Sequence, residues 1–283
     1  MTLPVSGAIS FNAINVELNV AGTTTASLGQ ATYRTLAGIP TGAIALSNFY
    51  GLSNTFSFSI AGGNNINLRS AAVAAGWDQT KTLLCTITST INSASTGSPA
   101  LTINGSFPYG LTMTVNSGVI IAGKGGDGGT DPYSLHFGNG QSGGTALSVS
   151  SACTIINNGA IGGGGGGGAS VVSGCCCGRV FSAGGGGGGF GAAGTSSIIG
   201  GDASAGGQSS GGNGANYNGS NYGGAAGQAG GSGVSSGRGG GGGGLGFSGG
   251  TASGSTEGSG GNAVAGNSNV TWSTLGTIYG ARV

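Results

Sequence analysis

Residues 162–168 read Gly-Gly-Gly-Gly-Gly-Gly-Gly, and two further runs, at 184–189 and 239–244, also consist of glycine alone. All three lie in one tract, residues 122–268, which holds most of the 71 glycines of this 283-residue chain. Such composition is typical of flexible linkers. An ordered alternative exists, because extended left-handed helices of three residues per turn can pair their backbone N–H and C=O groups with neighbours. Only glycine lets such backbones approach closely, so we predict that the tract is a sandwich of polyglycine II helices.

Short strands precede the tract. Residues 53–121 contain stretches that alternate apolar and hydroxyl residues, such as Phe-Ser-Phe-Ser-Ile at 56–60 and Leu-Leu-Cys-Thr-Ile at 83–87. Further strands are predicted at 101–103, 111–115 and 119–121, and one helix at 67–76. Strands this short, with turns between them, predict a small β-sandwich or a solenoid of stacked coils.

An internal repeat favours the solenoid. Residues 111–123 resemble residues 147–159, because both run from strand to turn to strand and then directly into glycine. The last segment, residues 269–283, has the same two-strand shape. We therefore expect the chain to leave the β-layer as the glycine tract and to return to it, so that the tract is an extension of that layer.

The first 52 residues are poor in glycine and carry helix signals. Ser10 can cap a helix that presents Phe11 on its apolar face. Ser27 and Gln30 match a capping box for a second helix. Gly38 is typical of the end of that helix. These patterns predict a small helical module at residues 1–52.

The module closes on Phe49 and Tyr50, and we expect both rings to be exposed. About fifty residues are few for an independent hydrophobic core. We therefore expect this module to be stabilised by a partner.

The charge composition excludes several classes of function. Only 5% of residues are charged and the net charge is +1, so the basic face of a nucleic-acid-binding protein is absent. No apolar run reaches the roughly 20 residues of a membrane helix. Residues 1–8 lack the basic start and apolar core of a signal peptide.

The cysteines do not predict a disulfide framework. There are five of them, and Cys175, Cys176 and Cys177 are consecutive. An odd number without regular spacing does not fit paired bridges. We interpret the triplet as part of a loop lined by small apolar groups rather than as a metal site, and its redox state stays open.

The inventory of reactive side chains argues against an enzyme. His136 is the one histidine, and its closeness in sequence to Asp131 and Ser134 is no sign of a triad, since triads are assembled across a fold. A glycan hydrolase needs two carboxylates about 5–10 Å apart. Asp127 and Asp131 could form such a pair, but aspartate between glycines favours turn capping. We predict no catalytic residue, no metal site and no cofactor.

Richer insertions separate the glycine runs, and they hold aromatic side chains among asparagine and serine. Rigid scaffolds commonly present binding loops of this composition at one end. The candidate contacts are Tyr133, His136, Phe137, Val171, Arg179, Phe181, Tyr217 and Tyr222. The alternative is that these side chains pack down on the glycine bundle. For Phe190 and Phe247, each next to a glycine run, we favour a structural role, and Trp77 and Trp272 are expected in the core.

Three phrases connect these features to a known family. They are Gly-Ser-Phe-Pro at 105–108, Gly-Thr-Ala-Leu at 144–147, and the segment from Leu-Ala-Gly at 36–38 to Gly-Ala-Ile-Ala-Leu-Ser-Asn-Phe-Tyr-Gly at 42–51. The first two, with the polyglycine runs, resemble the tail-fibre-tip adhesins of T-even-like bacteriophages. The third is similar to a short module at the start of many phage tail proteins. The cysteine triplet departs from the family pattern.

The resemblance implies a division of labour along the chain. Residues 1–52 would attach to a phage tail or tail-fibre protein through Phe11, Leu36, Phe49 and Tyr50. Residues 53–121 would form the β-rich base, residues 122–268 the polyglycine II sandwich with distal loops, and residues 269–283 the returning strands. The expected function is a non-enzymatic virion adhesin that binds an outer-membrane protein or a surface glycan of the host.

Two alternatives stay open at this point. The glycine bundle could be an assembly element of a purely structural tail protein, and a polysaccharide depolymerase is a more distant candidate. A homotrimer and a single copy on a trimeric fibre both fit the sequence, and a position at a central tail tip fits as well as one on a side fibre.

Overall fold

The alternating residues of the β-layer form strands in the computed structural model. It describes residues 2–130, 138–175, 178–193, 203–214, 223–225, 228–232 and 239–283, with the backbone alone at 172–175 and 178–181. The strands are β1 (Thr55–Ile60), β2 (Gly63–Asn64), β3 (Ile66–Asn67), β4 (Thr82–Ile87), β5 (Ile91–Asn92), β6 (Leu101–Ile103), β7 (Leu111–Val115), β8 (Ile120–Ala122), β9 (Leu147–Val149), β10 (Cys153–Asn157), β11 (Ala160–Gly162), β12 (Val171–Cys175), β13 (Gly178–Ser182), β14 (Val264–Ala265), β15 (Val270–Thr274) and β16 (Thr277–Tyr279). The α-helices are α1 (Phe11–Glu17), α2 (Ala31–Ala37) and α3 (Leu68–Ala74), and short 3₁₀ helices lie at Leu46–Phe49 and Asn267–Asn269.

Three parallel sheets make the β-layer a solenoid of stacked coils. The first sheet has the order β1-β4-β7-β10-β15, the second β16-β11-β8-β5-β2 and the third β14-β9-β6-β3. Each coil of the chain gives one strand to each sheet in turn, and every pairing in these three sheets is parallel. The protein is therefore mainly β, and of the two predicted arrangements the solenoid is the one observed.

The internal repeat is real, but its predicted phase is wrong. Strands β7 and β8 pair with β10 and β11, so residues 111–122 stack on residues 153–162 and not on 147–159. Strand β9 belongs to the third sheet, where it pairs with β6. The error arises because all three strands of a coil have similar short patterns. The return of the chain is confirmed, since β15 and β16 pair with β10 and β11.

The solenoid encloses one continuous core. Alternate residues of β4, Leu83, Cys85 and Ile87, point inward and are buried. Trp77 is buried as predicted, and its indole N–H donates to the Lys81 carbonyl at 2.9 Å. Trp272 packs against this core only in part, because it lies on the last strand of its sheet.

Two buried cysteines contribute to this core. Burial raises the pKa of the Cys85 thiol to about 12 and that of Cys153 to about 11. Both thiols are therefore protonated at neutral pH and act as small apolar groups.

The glycine tract leaves the solenoid at a single corner, between the second and third sheets. The chain departs after β8 and again after β11, and it returns at β9 and β14. The ladder of the second sheet continues into the tract, since Gly123 N–H donates to Gly162 at 2.9 Å and Gly163 N–H donates to Tyr279 at 3.0 Å. The solenoid thus sets the register in which the glycine segments begin.

The run at 162–168 is the centre of the tract. Six segments surround it in the described part of the chain, namely 123–129, 138–144, 184–189, 239–244, 247–250 and 258–261. Its bonds to each neighbour recur every third residue: Gly164, Gly167 and Ser170 donate to Gly144, Gln141 and Gly138; Gly165 and Gly168 donate to Gly188 and Gly185; Gly166 and Ala169 donate to Phe247 and Gly250. The carbonyls follow the same period: Gly162, Gly165 and Gly168 accept from Gly123, Gly126 and Gly129; Gly164 and Gly167 accept from Gly261 and Gly258; Gly166 and Ala169 accept from Gly243 and Gly240. The buried backbone of this run is thereby satisfied without side chains.

Side chains are excluded from this run by the closeness of its neighbours. A Cβ atom on Gly165 would lie 2.0 Å from the Gly243 carbonyl oxygen, and one on Gly166 would lie 1.8 Å from that of Gly258. Real Cβ atoms do not approach backbone this closely, so neither position can hold alanine without separating two segments.

The N-terminal module has the predicted helices, with two corrections. Ser10 caps α1, its hydroxyl accepting from Ala13 N–H at 3.2 Å, and Gly38 ends α2 in the left-handed conformation. The capping box is wrong, because the Ser27 hydroxyl accepts from Gly29 N–H and the Gln30 side chain makes no cap bond. The prediction that Phe49 is exposed is also wrong.

Phe49 is buried because it lies in the module's own core. That core consists of Leu3, Ile14, Tyr33 and Phe49, and the rings of Tyr33 and Phe49 meet edge to face with centroids 5.9 Å apart. Tyr50 is exposed as predicted, and its hydroxyl donates to the Gly7 carbonyl.

We predict that Gly165→Ala lowers the free energy of unfolding by about 3 kcal/mol or prevents folding, because the new Cβ would overlap a backbone carbonyl. Gly97→Ala is the matched control, since nothing lies within 4 Å of its added Cβ, and its effect should stay within about 1 kcal/mol. Thermal melting of both variants measures the difference. Equal melting temperatures would contradict this account of the glycine run.

Candidate functional site

The far end of the glycine bundle, opposite the solenoid, gathers the borders of several insertions. Ser170 N–H donates to Gly138 and Gly129 N–H donates to Gly168, both at 2.8 Å. Gly184 N–H donates to Gly129 at 3.2 Å. The insertion at 131–137 and the segment between Ser170 and Gly184 therefore begin and end side by side. We call this region the distal end.

A hairpin continues the central run at the distal end. Strands β12 and β13 are antiparallel, and Cys175 lies opposite Gly178 at their end. Three candidate residues are in this hairpin, with Val171 opposite Ser182, Arg179 opposite Gly174 and Phe181 opposite Val172. The central glycine run thus carries these three candidates directly.

Val171 does not fit its prediction as a receptor contact. Its side chain is only 2% exposed and packs with Ala169 and Ala252 in a small apolar cluster. It lies at the base of the hairpin and belongs to the scaffold, because a buried side chain cannot contact a receptor.

Five other candidates lie outside the described residues: Tyr133, His136, Phe137, Tyr217 and Tyr222. The insertions that contain them nevertheless start from placed residues. A Cβ on Gly214 would lie 2.4 Å from the Gly239 carbonyl oxygen, and Gly223 N–H donates to the Asn213 side chain at 2.9 Å. The insertion after Gly214 therefore begins beside the same end of the bundle.

Sequence reasoning missed one polar turn at the distal end. Ala252 and Ser255 form a β-bridge, and the Asn139 side chain accepts from Thr256 N–H at 2.9 Å. Thr251 and Ser253 are exposed on this turn. Glycine among hydroxyl residues, Thr-Ala-Ser-Gly-Ser-Thr at 251–256, was the available signal for it.

Two aromatic residues lie toward the solenoid end of the bundle. Phe190 and Phe247 are 47% and 40% exposed, so neither ring is packed away as a structural role would suggest. Phe190 has a φ of 62°, and its carbonyl accepts a hydrogen bond from the Lys124 ammonium. Because these rings are remote from the distal end, they serve as control positions when residues of the distal end are substituted.

Asp127 joins two glycine segments of the bundle. Its Oδ1 accepts from Ala192 N–H at 2.8 Å, so this carboxylate caps a neighbouring segment instead of its own turn. Asp131, the suggested partner, lies outside the described residues. Among the residues that the structure describes, His, Cys, Asp and Glu form no group of three or more that could hold a metal ion.

The attachment candidates divide between surface and core. Phe11 and Tyr50 are exposed, Leu36 is half-buried against the module core, and Phe49 is fully buried. Phe49 is therefore a core residue and cannot contact a partner. The sequence analysis missed three exposed apolar residues of the same module, Val5, Val16 and Val20. No helix within the described ranges is long and apolar enough to span a membrane.

Of the comparisons with known proteins, one gives a family and another gives a similar fold. A family model described as phage tail fibre adhesin Gp38 matches residues 55–283. A similar solved structure is the gp37–gp38 adhesin tip complex of the bacteriophage S16 long tail fibre, with a TM-score of 0.59 and 22% identity over 99% of this chain and 100% of that chain. A search of curated proteins found no match. At this identity the structural likeness shows the fold, and the family model carries the assignment.

We predict that Asp127→Ala lowers the free energy of unfolding by about 1 kcal/mol, because the Ala192 N–H loses its acceptor. Asp127→Asn keeps an amide oxygen at the same place and should cost much less. Denaturant unfolding of the two variants measures the contrast. Equal destabilisation by both variants would show that the charge, and not this hydrogen bond, is what matters.

Proposed function

The chain belongs to the phage tail fibre adhesin Gp38 family, and on that premise we propose how it divides attachment, support and recognition among its parts. It is a receptor-binding adhesin of the virion, located at the tail-fibre tip. The proposal is that the distal end binds the host receptor, the glycine bundle holds that end rigid, and residues 1–52 dock on the fibre. Binding alone, without catalysis, completes this role.

The support is a bundle of polyglycine II helices. The hydrogen bonds of residues 162–170 recur every third residue toward each neighbouring segment. This is the period of a left-handed helix with three residues per turn and outward-pointing backbone groups. The absence of Cβ atoms favours the same assignment, because neighbouring carbonyls occupy the space that they would need.

The observation that carries the receptor site is the convergence of insertion borders at the distal end. Gly129, Gly138, Ser170, Gly184 and Gly214 lie there together. Loops held on a rigid base lose less entropy when they bind. The proposed contacts are Tyr133, His136, Phe137, Arg179, Phe181, Tyr217 and Tyr222, together with the exposed turn at Thr251 and Ser253.

The receptor is an outer-membrane protein or a surface glycan of the host. With a net charge of +1, recognition depends on shape and hydrogen bonds more than on long-range steering. Aromatic side chains among small polar residues suit both classes of receptor.

The N-terminal module suits a single copy on a trimeric fibre end. It contains three units in which a partly buried apolar residue precedes a buried core residue by five positions: Ile9 and Ile14, Leu28 and Tyr33, Ile44 and Phe49. The first and third units also share backbone geometry, since Gly7 and Gly42 have φ of 89° and 87° and the N-cap residues Ser10 and Ala45 both have φ of −127°. Three similar units around one core fit a single copy docked on a three-fold symmetric partner better than they fit a homotrimer of this chain.

We predict that replacing Tyr133, Phe137, Tyr217 and Tyr222 together by alanine weakens binding of the purified protein to host cells by roughly 100-fold, because aromatic anchors dominate interface energies. The matched control replaces Phe190 and Phe247 by alanine, two exposed aromatics toward the solenoid end. The control should bind as wild type does. Unchanged melting temperatures would show that both variants fold.

Two results would count against the proposal. If the control loses binding as much as the distal variant, the receptor surface is not at the distal end. If the wild-type protein does not bind host cells, a purely structural role in the fibre becomes the better explanation. Clearing of capsule by the isolated protein would instead indicate a depolymerase.

A further inference from the structure

A groove of about 240 Å³ lies where the N-terminal module meets the solenoid. The module contributes Leu18 and Val20 after α1 and Thr35 from α2. The solenoid contributes Thr80 and Tyr109 from loops before β4 and β7. Among the described residues its lining has no charged side chain; it is apolar, with hydroxyl groups and the Asn54 amide. We call it the junction groove.

Two exposed apolar side chains from different parts of the chain meet at this groove. Val20 is 41% exposed and Tyr109 is 47% exposed. The Asn19 amide donates to the Thr82 hydroxyl at 3.4 Å, and that hydroxyl donates to the Tyr109 carbonyl at 2.9 Å. Single exposed apolar residues are common on protein surfaces, whereas apolar residues gathered around a concavity indicate an interaction site.

The walls of the junction groove are held together before any partner binds. Glu17 of α1 accepts from Asn54 N–H at 2.7 Å and from the Ser53 hydroxyl at 3.2 Å. Asn54 itself lines the groove. Because these hydrogen bonds already order the joint between the module and the solenoid, binding of a partner there would cost little conformational entropy.

We infer that the junction groove is a second part of the attachment surface and receives an uncharged, apolar side chain from the end of the tail-fibre protein. This inference rests on the proposed attachment through residues 1–52. The occupant follows from position, because the groove is continuous with α1 and α2 of the attachment module. The groove also lies away from the corner at which the glycine bundle leaves the solenoid, so a receptor held at the distal end is not the occupant.

A fibre end that contacts both the module and the solenoid would fix the direction in which the distal loops point. Tyr109 has the chemistry of an interface anchor, since tyrosine is enriched among the residues that dominate binding energy. If the fibre end contacted the module alone, only the joint at Glu17 and Asn54 would fix that direction.

The test measures affinity of the full-length protein for the recombinant trimeric C-terminal tip of the phage's tail-fibre protein. Tyr109→Ala and Val20→Ala should each weaken binding by about 10-fold or more. Val73→Ala, at a residue of α3 that is 42% exposed and outside the groove, is the matched control and should bind like wild type. Host-cell binding and melting temperature should be unchanged in all three variants.

The outcomes separate this inference from the proposal beneath it. If Tyr109→Ala and Val20→Ala bind the tip normally while Phe11→Ala weakens binding, the junction groove is not a docking site and attachment through the module stands. If the wild-type protein does not bind the tip, both are overturned. If light scattering shows a wild-type dimer that Tyr109→Ala abolishes, the groove joins two copies of this chain instead.

Discussion

Hydrogen bonding between glycine backbones is the interaction on which this structure depends. Ordering glycine costs more conformational entropy than ordering any other residue, and residues 162–168 have no side chains to offset that cost by apolar burial. What offsets it is a set of backbone partners, because the run exchanges hydrogen bonds of 2.6–3.0 Å with segments all around it. The same closeness makes the run intolerant of any Cβ. The all-glycine composition of the run and the stability of the bundle thus both follow from the close packing of its backbones.

The solenoid decides where this bundle stands and which way its loops face. Its second sheet runs directly into the tract at Gly123 and Gly163, so the first glycine segments start in register. The chain leaves the solenoid at one corner both after β8 and after β11, and all glycine segments that follow must align with the central run. The insertion borders consequently collect at the distal end, while the N-terminal module joins the first coil through Glu17. In the proposed division of roles, the solenoid and the glycine bundle therefore separate attachment from recognition.

Local signals in the sequence predicted local structure, and packing across the chain decided the rest. Ser10, Gly38 and the alternation in β4 act within a few residues, and each was correctly interpreted. The phase of the repeat was not, because strands of different sheets have similar patterns and only pairing tells them apart. Phe49 follows a small apolar run that gives no sign of the core formed with Ile14 and Tyr33. For the candidate site, composition indicated loops on a glycine scaffold, but Val171 is buried by a contact with distant Ala252, which no local pattern encodes.

The most direct test of the central claim is hydrogen–deuterium exchange in the glycine run. Mass spectrometry of peptides that span residues 163–170 should show protection comparable to that of strand β10, because each of these amides donates to a neighbouring segment. The exposed turn around Gly97 should exchange rapidly in the same sample. Rapid exchange at residues 163–170 under native conditions would mean that the tract is a flexible linker, and the rigid scaffold proposed for the distal loops would then not exist.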